Sequence, residues 1–233
     1  MVKGKPMSKT KIPYHLGIII DGNRRWAKEN GLPAFEGHRR GLKKVKEAIK
    51  WCKDRGVKIL TFFVFSTENW KRPKMEVGYL MKLAQEIIEN YIKEARKEKI
   101  KIRIIGQKEK LPKFLQKAIK NTEELTKNNK EMTVNFALSY GGRAEITEAI
   151  KNIVKKRIPP EKITEEVISK NLWTSDLDLL IRTGKEQRLS NFLIWQVAYS
   201  ELYFIKKYWP AFIEKDLDKI LLDFSRRQRR FGK

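Results

Sequence analysis

The feature that most restricts what this chain can fold into is the alternation of short apolar runs with longer stretches of helical periodicity. The runs fall at about His15–Ile20, Ile59–Phe65, Ile100–Ile105, Thr133–Leu138, Leu177–Ile181 and Glu201–Phe204. Their lengths and β-branched content predict strands. Helical patterns predict helices over Glu36–Arg55, Glu76–Glu98, Leu111–Lys127, Arg143–Lys156, Thr164–Asn171 and Glu214–Arg230. In the first of these, Leu42, Val45, Ile49 and Cys52 form one apolar stripe. Strand and helix in alternation predict an α/β fold, a mostly parallel central sheet of about six strands flanked by helices. No linker, repeat or low-complexity segment divides the pattern; "KRIPPEK" is a turn inside it. A single domain over 1–233 is expected, with a flexible N-terminal segment at 1–12 and a C-terminal tail at 225–233.

Composition narrows the partners. The 233 residues carry 52 Lys+Arg against 28 Asp+Glu, a net charge of +24, which favours phosphates, polyanions or anionic membrane surfaces as partners. The cations are scattered among acids over most predicted helices, so many simply solvate helix faces. The lone Cys52 cannot form an intramolecular disulfide, and no apolar run approaches the ~20 residues of a membrane span. With no signal-peptide pattern in "MVKGKPMSKTK", a cytoplasmic protein is expected.

In open α/β sheets, ligands gather outside the carboxyl ends of the strands. Here those ends are polar: "DGNRRW", "STENWKRP", "SYGGR" and "RTGKEQRLSN". Gly22 permits a tight turn, backbone N–H groups of Asn23 to Arg25 can face an anion, and Arg24 and Arg25 can supply charge-assisted hydrogen bonds. Asp21 beside a phosphate makes sense if it holds a divalent cation that takes carboxylate and phosphate oxygens together. The alternative is an Asp-Gly turn before a helix with exposed arginines. A second set, Arg182, Arg188 and Ser190, suggests a second phosphate site. Ser66, Glu68, Asn69 and Arg72 stand at the end of the second strand. Nucleotide-binding glycine motifs are absent from the sequence, His15 and His38 are too few for a histidine-cysteine zinc site, and Cys52 lies on an apolar stripe. Neither an RNA-recognition signature nor a single basic face is readable, so nucleic acid is not expected as a partner.

The segments "HLGIIIDGNRRWAKENGLPAFEGHRRG", "FVFSTENWKRP", "SYGGRAEI" and "DLLIRTGKEQRLSNFLIWQVAYSELYF", with the ending "RRQRRFG", resemble the cis-prenyltransferases, in particular the undecaprenyl diphosphate synthase family. The likeness spans about Pro13 to Gly232. It implies successive cis condensation of isopentenyl diphosphate onto an allylic diphosphate such as farnesyl diphosphate, with Mg²⁺, in a homodimer that makes a carrier-lipid precursor. By resemblance Asp21 engages Mg²⁺ and the allylic diphosphate, and Gly22, Asn23, Arg24 and Arg25 form its cradle. Trp26, His38, Ser66, Thr67, Glu68, Trp70 and Arg72 take allylic substrate-contacting positions. Asn69 assists proton removal; as a poor base in water it is expected to orient the proton while a diphosphate oxygen accepts it. Arg182, Arg188, Ser190, Arg230 and Gly232 match the isopentenyl diphosphate site, the last two in a tail reaching across the dimer, and Glu201 matches a metal-associated acid.

The resemblance turns an apolar stripe into a tunnel wall. Leu80, Leu83, Ala84, Ile87 and Ile88 would face Val134, Phe136 and Leu138. Burying five more carbons per cycle is worth roughly 3–4 kcal/mol at ~0.8 per methylene. Three positions depart from the family pattern: Ala34 where arginine is frequent, Lys185 where glycine is common, and Gln187 in place of a metal-linked histidine. A non-catalytic partner subunit would tend to lack Asp21 and the arginines, which are present. A trans-prenyltransferase needs aspartate-rich motifs, yet this sequence has no adjacent aspartates. The basic surface suits contact with an anionic membrane.

Overall fold

The structure, a computed structural model, describes residues 11–227. In chain order it runs β1 (His15–Ile19), α1 (Asn23–Glu29), α2 (Ala34–Asp54), β2 (Ile59–Ser66), α3 (Lys74–Lys97), β3 (Ile100–Ile105) and α4 (Lys113–Thr126). It continues with β4 (Met132–Tyr140), α5 (Gly142–Lys155), α6 (Glu165–Asn171), β5 (Leu179–Arg182), β6 (Glu201–Phe204) and α7 (Glu214–Arg226). The strands form one sheet in the order β3-β4-β2-β1-β5-β6, and every pairing is parallel. Among the described residues no helix is long and apolar enough to cross a membrane.

Each predicted strand is present. Periodicity gave no bounds for a helix between β1 and α2, although the Asp-Gly turn placed a helix start there; α1 occupies that stretch. Its seven residues bury only Ala27, too few for an apolar stripe to announce it. The predicted last helix continues to Arg230; the observed α7 ends at Arg226, Arg227 is extended, and Arg230 and Gly232 lie outside the described residues.

Side-chain alternation along β2 divides the core into two layers. Phe62 stacks on Phe136 with 5.9 Å between ring centroids and meets the edge of Trp209. This larger layer also takes Val45, Ile49 and Cys52 from α2, Met81 and Ala84 from α3, and Leu217 and Phe224 from α7. Phe63 points the other way, stacks on Phe192 at 4.6 Å and contacts Tyr140. That smaller layer includes Leu193 and Val197 from the segment between β5 and β6. Cys52 belongs to the core, where burial pushes its thiol up to about 12.

One polar chain crosses the buried amino half of the sheet. His15 Nδ1 faces the carbonyl oxygens of Asp176, at 2.9 Å, and Ser175, so it carries the proton. Nε2 lies 2.7 Å from Thr61 Oγ1, which accepts from Asn135 Nδ2 at 2.9 Å. Burial lowers the pKa of His15 from 6.5 to about 4.

The strand order places the site. After β1 the chain moves toward β2; after β5 it moves the opposite way, toward β6. A crevice must open outside the carboxyl ends of β1 and β5, at the point where the winding direction switches.

Candidate active site

Asp21 stands at that crevice, two residues past the end of β1, and its backbone is strapped in place. Its carbonyl oxygen accepts from Thr183 Oγ1 at 2.8 Å and from the Trp209 N–H at 3.0 Å. Gly22 then turns the chain with φ +100, a left-handed conformation natural to glycine. Its α-carbon also lies flat against Tyr208: an added Cβ would meet that ring at 2.5 Å. The turn delivers Arg25 one helical turn beyond Asp21 on the same face.

Charged groups close into a ring around the crevice. Arg182 Nη2 donates to Asp21 Oδ2 at 3.0 Å, and Asp21 Oδ1 lies 3.1 Å from Arg25 Nη2. Arg25 Nη1 reaches Glu186 Oε1 at 2.7 Å, and Glu186 Oε2 takes Arg188 Nη1 at 2.5 Å. Arg182 completes the circuit by donating to the Arg188 carbonyl and to Ser190 Oγ. Three guanidinium groups therefore surround two carboxylates. The guanidinium of Arg182 is buried, and its Nε has no partner. Hydrogen bonds from Arg188 and Arg25 hold the Glu186 carboxyl below its usual pKa.

The carboxyl end of β2 forms the opposite lip. Ser66 caps a short 3₁₀ turn over Thr67–Lys71 in a reciprocal capping box, in which Asn69 Oδ1 accepts the Ser66 N–H at 3.1 Å. The Asn69 carbonyl is thus engaged in holding the turn, so the group it can offer substrate is its NH₂ donor. Burial alone would raise the Glu68 pKa, but hydrogen bonds from its own N–H, Ser66, Asn191 and Thr67 outweigh it and lower the value. Arg72 pairs with Glu76 at 3.2 Å. His38 lies 3.9 Å from that glutamate with its Nε2 unpartnered. Burial first, then the positive charge of Arg72, lowers the His38 pKa to about 4, so its ring is neutral at pH 7.

These lips enclose a cleft of about 1130 Å³ that brings together Asp21, Gly22, Asn23, Arg24, Arg25, His38, Ser66, Glu68, Asn69, Arg72, Arg182 and Ser190. Lys28 and Asn191 also line it. Ala34 lies on its rim and supplies no charge there. Behind it, sharing Ile20, Asn23, His38, Val64, Phe65 and Leu80, is an apolar cavity of about 60 Å³. Leu83, Ala84, Ile87, Phe136 and Leu138 line this cavity, as the stripe predicted, whereas Ile88 and Val134 belong to the core. Among the described residues the space is a small pocket at the end of the cleft.

Other predicted positions lie elsewhere. Trp26 is beneath Arg40, 5.1 Å from its guanidinium, and does not form the cleft wall. Trp70 turns inward, donates to Ser139 Oγ at 2.9 Å and packs against Phe65. Thr67 does not line the cleft; it hydrogen-bonds Glu68, which does, and packs close to Gly141. Arg188 reaches the site by way of Glu186. Glu201 requires a correction: in register it pairs with Leu179, and Leu179 pairs with Leu16, at the amino end of the sheet. Leu16 precedes Asp21 by five residues, about 16 Å of strand at ~3.3 Å per residue, so Asp21 and Glu201 of one chain cannot share an ion. Glu201 instead pairs with Arg227 at 2.8 Å.

Sequence reasoning missed Glu186 and Tyr208. Glu186 sits inside a quoted strand-end segment, and its position between two arginines in the sequence was the available signal. Tyr208 lies far along the chain and carries none.

No group of three or more His, Cys, Asp or Glu that could hold a metal occurs among the described residues. One carboxylate in an open, arginine-lined cleft does fit Mg²⁺, which retains waters and commonly binds through one or two carboxylates together with substrate phosphates. Asp21 would hold it. Gln187 is exposed on the loop beyond.

Known proteins share this fold and much of this sequence. The family profile described as putative undecaprenyl diphosphate synthase matches residues 19–232. An isoprenyl transferase of Thermotoga maritima is 48% identical, covering 95% of this chain and 97% of its own length. One from Bacillus cereus is 46% identical over 97% of this chain and 90% of its own. Among solved structures, lavandulyl diphosphate synthase from Lavandula x intermedia, in complex with dimethylallyl diphosphate, superposes with a TM-score of 0.91 at 39% identity, over 95% of this chain and 99% of that one. A probable undecaprenyl diphosphate synthase from Campylobacter jejuni gives 0.83 at 33%, over 96% of this chain and all of the other.

Proposed function

The chain belongs to the undecaprenyl diphosphate synthase family and is a cis-prenyltransferase, and within that activity we propose that it adds isopentenyl diphosphate units successively to an allylic diphosphate, farnesyl diphosphate first among them, with Mg²⁺. The product on this reading is a long-chain polyprenyl diphosphate, the precursor of a glycosyl carrier lipid. The observation that carries the proposal is the clasp of Asp21 between Arg25 and Arg182 at the inner end of a cleft that continues into an apolar pocket.

The chemistry follows from that arrangement. Ionising an allylic diphosphate gathers negative charge on the leaving group, and preorganised donors aimed at that charge lower the barrier. Arg25 and the Gly22 turn sit where the allylic diphosphate would lie, with Arg24 and Lys28 at the mouth. Arg182, Ser190 and Arg188 would take isopentenyl diphosphate and hold its double bond beside the carbocation, so that the reaction becomes effectively unimolecular. Mg²⁺ on Asp21 would supply further charge neutralisation to the departing diphosphate. Asn69, its carbonyl committed to the 3₁₀ turn, orients through its NH₂ group, and the proton passes to a diphosphate oxygen. Neutral His38 closes the inner wall, where the growing tail passes toward Leu83 and Ala84.

Surface features support the partners. Phe35, 53% exposed, and Met75, 90% exposed, project beside the cleft rim among Arg39, Lys71 and Lys74, a mixture suited to an anionic membrane that receives an oily product. The edge strand β6 leaves Leu202 exposed beside Tyr199, a surface that a second copy would cover in a homodimer. A second reading, a short-chain product, is favoured by the small volume of the apolar pocket.

One assay tests both. Purified protein is incubated with Mg²⁺, farnesyl or dimethylallyl diphosphate and labelled isopentenyl diphosphate, and the products are resolved by length. Extension by many units supports the long-chain reading, arrest after one supports the second, and no extension of either primer refutes the proposal. Asp21→Ala should lower kcat by at least about 10²-fold, the scale of losing one preorganised charge-stabilising group, with an unchanged far-UV spectrum.

A further inference from the structure

Glu186 has no role in the scheme above, yet, like Asp21, which joins Arg25 to Arg182, it touches both sets of arginines. Its two oxygens are divided between them: Oε1 on Arg25, from the first turn of α1, and Oε2 on Arg188, from the loop after β5. Arg25 also belongs to Asp21, and the Arg188 carbonyl also belongs to Arg182. A carboxylate here fills the position that diphosphate oxygens take when substrate arrives, since it offers the same planar acceptor geometry to the same guanidinium forks.

Resting on the two-diphosphate reading of the cleft, we infer that Glu186 is a positioning residue that couples the two sites, acting as an internal stand-in anion which the first diphosphate must displace. Both arginines are partly exposed, so the carboxylate can leave into water. An arriving diphosphate at either site competes for one arginine and repels Glu186 by like charge. The carboxylate swings out and releases the other arginine at the same time. The first ligand bears the cost of displacement, and the second finds its arginine already free. Binding is therefore positively cooperative between unlike ligands, and by linkage each ligand tightens the other by the same factor. Partly exposed ion pairs are weak, so the factor should be about two- to fivefold. The device favours a doubly occupied cleft, in which an ionised allylic group meets its nucleophile, over an allylic diphosphate bound alone.

The test is equilibrium binding to the full-length protein in Mg²⁺ buffer. The probes are isopentenyl diphosphate and an allylic thiolodiphosphate, whose carbon–sulfur bond does not ionise in the experiment. Wild type should bind each probe about two- to fivefold more tightly when the other is saturating. In Glu186→Gln each probe alone should bind more tightly than to wild type, and the mutual factor should fall to one. Glu29→Gln removes a neighbouring carboxylate that pairs with Lys185 and Tyr208 without bridging the arginines, and it should keep the wild-type factor. A merely structural Glu186 predicts weaker binding of each probe in Glu186→Gln, and that result overturns the inference. So does a wild-type factor of one with both probes bound, or a factor that survives Glu186→Gln. Failure of both probes to bind wild type would overturn the two-diphosphate reading as well, which separates the two failures.

Discussion

Replacing Gly22 by alanine should damage the cleft far more than the same change at Gly31, although both residues have left-handed backbones. Gly22 has φ +100 and Gly31 φ +66. A side chain in that region costs about 1–2 kcal/mol at either place. The surroundings differ: nothing lies within 4 Å of a Cβ added at Gly31, whereas at Gly22 it would meet the Tyr208 ring at 2.5 Å. Tyr208 cannot retreat freely. Its hydroxyl donates to Glu29 Oε1 at 2.5 Å, and Arg25 and Lys185 lie over its ring at 5.5 and 4.5 Å. Overpacking of this kind adds about 1–3 kcal/mol, so Gly22→Ala should cost about 2–5 kcal/mol against about 1–2 for Gly31→Ala. In a chain of this size each kcal/mol lowers Tm by about 2–4 °C. The functional effect should be larger still, because the strain is relieved by moving the turn that carries Asp21 and Arg25. A displacement of about 1 Å can cost on the order of 10²-fold in rate. Thermal unfolding and steady-state kcat/KM for the allylic substrate, measured on both variants, check this. Equal Tm losses with equal kcat/KM in the two would refute the claim that Tyr208 buttresses the diphosphate turn.

Two further outcomes follow from the interior. Folding lowers the pKa of His15 and of His38 from 6.5 to about 4, mainly through burial, so the unfolded chain binds protons that the folded one refuses. Stability is therefore full above pH 6.5 and falls as pH drops toward 4; between pH 7.5 and 5.0 the loss is about 2 kcal/mol per histidine. Urea unfolding at the two pH values should show it, and His15→Gln, less stable throughout, should lose about half of the histidine-dependent decline; an unchanged decline would remove His15 from the account. In the apolar pocket, Ala84→Leu should shorten the products, while Leu83→Ala should lengthen them and cost about 2–5 kcal/mol of stability. Identical product lengths in both variants would show that this pocket does not receive the tail.

The strands were legible because burying parallel strands leaves apolar runs of a characteristic length, and no local signal competes with them. The cleft was legible where a candidate residue sits at a strand end, as Asp21, Asn69 and Arg182 do. What escaped has a common physical character: it depends on contact between distant segments. Tyr208 against Gly22 and Glu186 against Arg25 are pairs more than 150 residues apart, and nothing local to either segment announces the pairing. The extent of α1 escaped for a different reason: the turn marked its start, but seven residues are too few for periodicity to reveal its end. The tryptophans misled because motif position records that a residue is fixed without recording which way it points: Trp26 lies beneath Arg40, and Trp70 turns into the core. Glu201 shows the limit of collinear reasoning most clearly, since a motif that places it soon after Ser190 says nothing of the parallel register that returns it to the amino end of the sheet.

That register also explains why the acid and the arginine of the clasp are Asp21 and Arg182. Ile19 pairs with Arg182 across the β1–β5 ladder, so the chain must run two residues past β1 before a side chain can reach back over the end of β5. Asp21 is the residue at that reach. One residue earlier, Ile20 belongs to the apolar side and lines the pocket behind the cleft; one later, Gly22 has no side chain to offer. The order Ile20-Asp21-Gly22 thus assigns three adjacent positions to the apolar pocket, the charged ring and the turn. Inserting a residue before Asp21 would carry its carboxylate off the Arg182 fork and send Ile20 into a charged ring. The strand therefore sets both the polarity of the cleft and the side on which the apolar pocket opens from it.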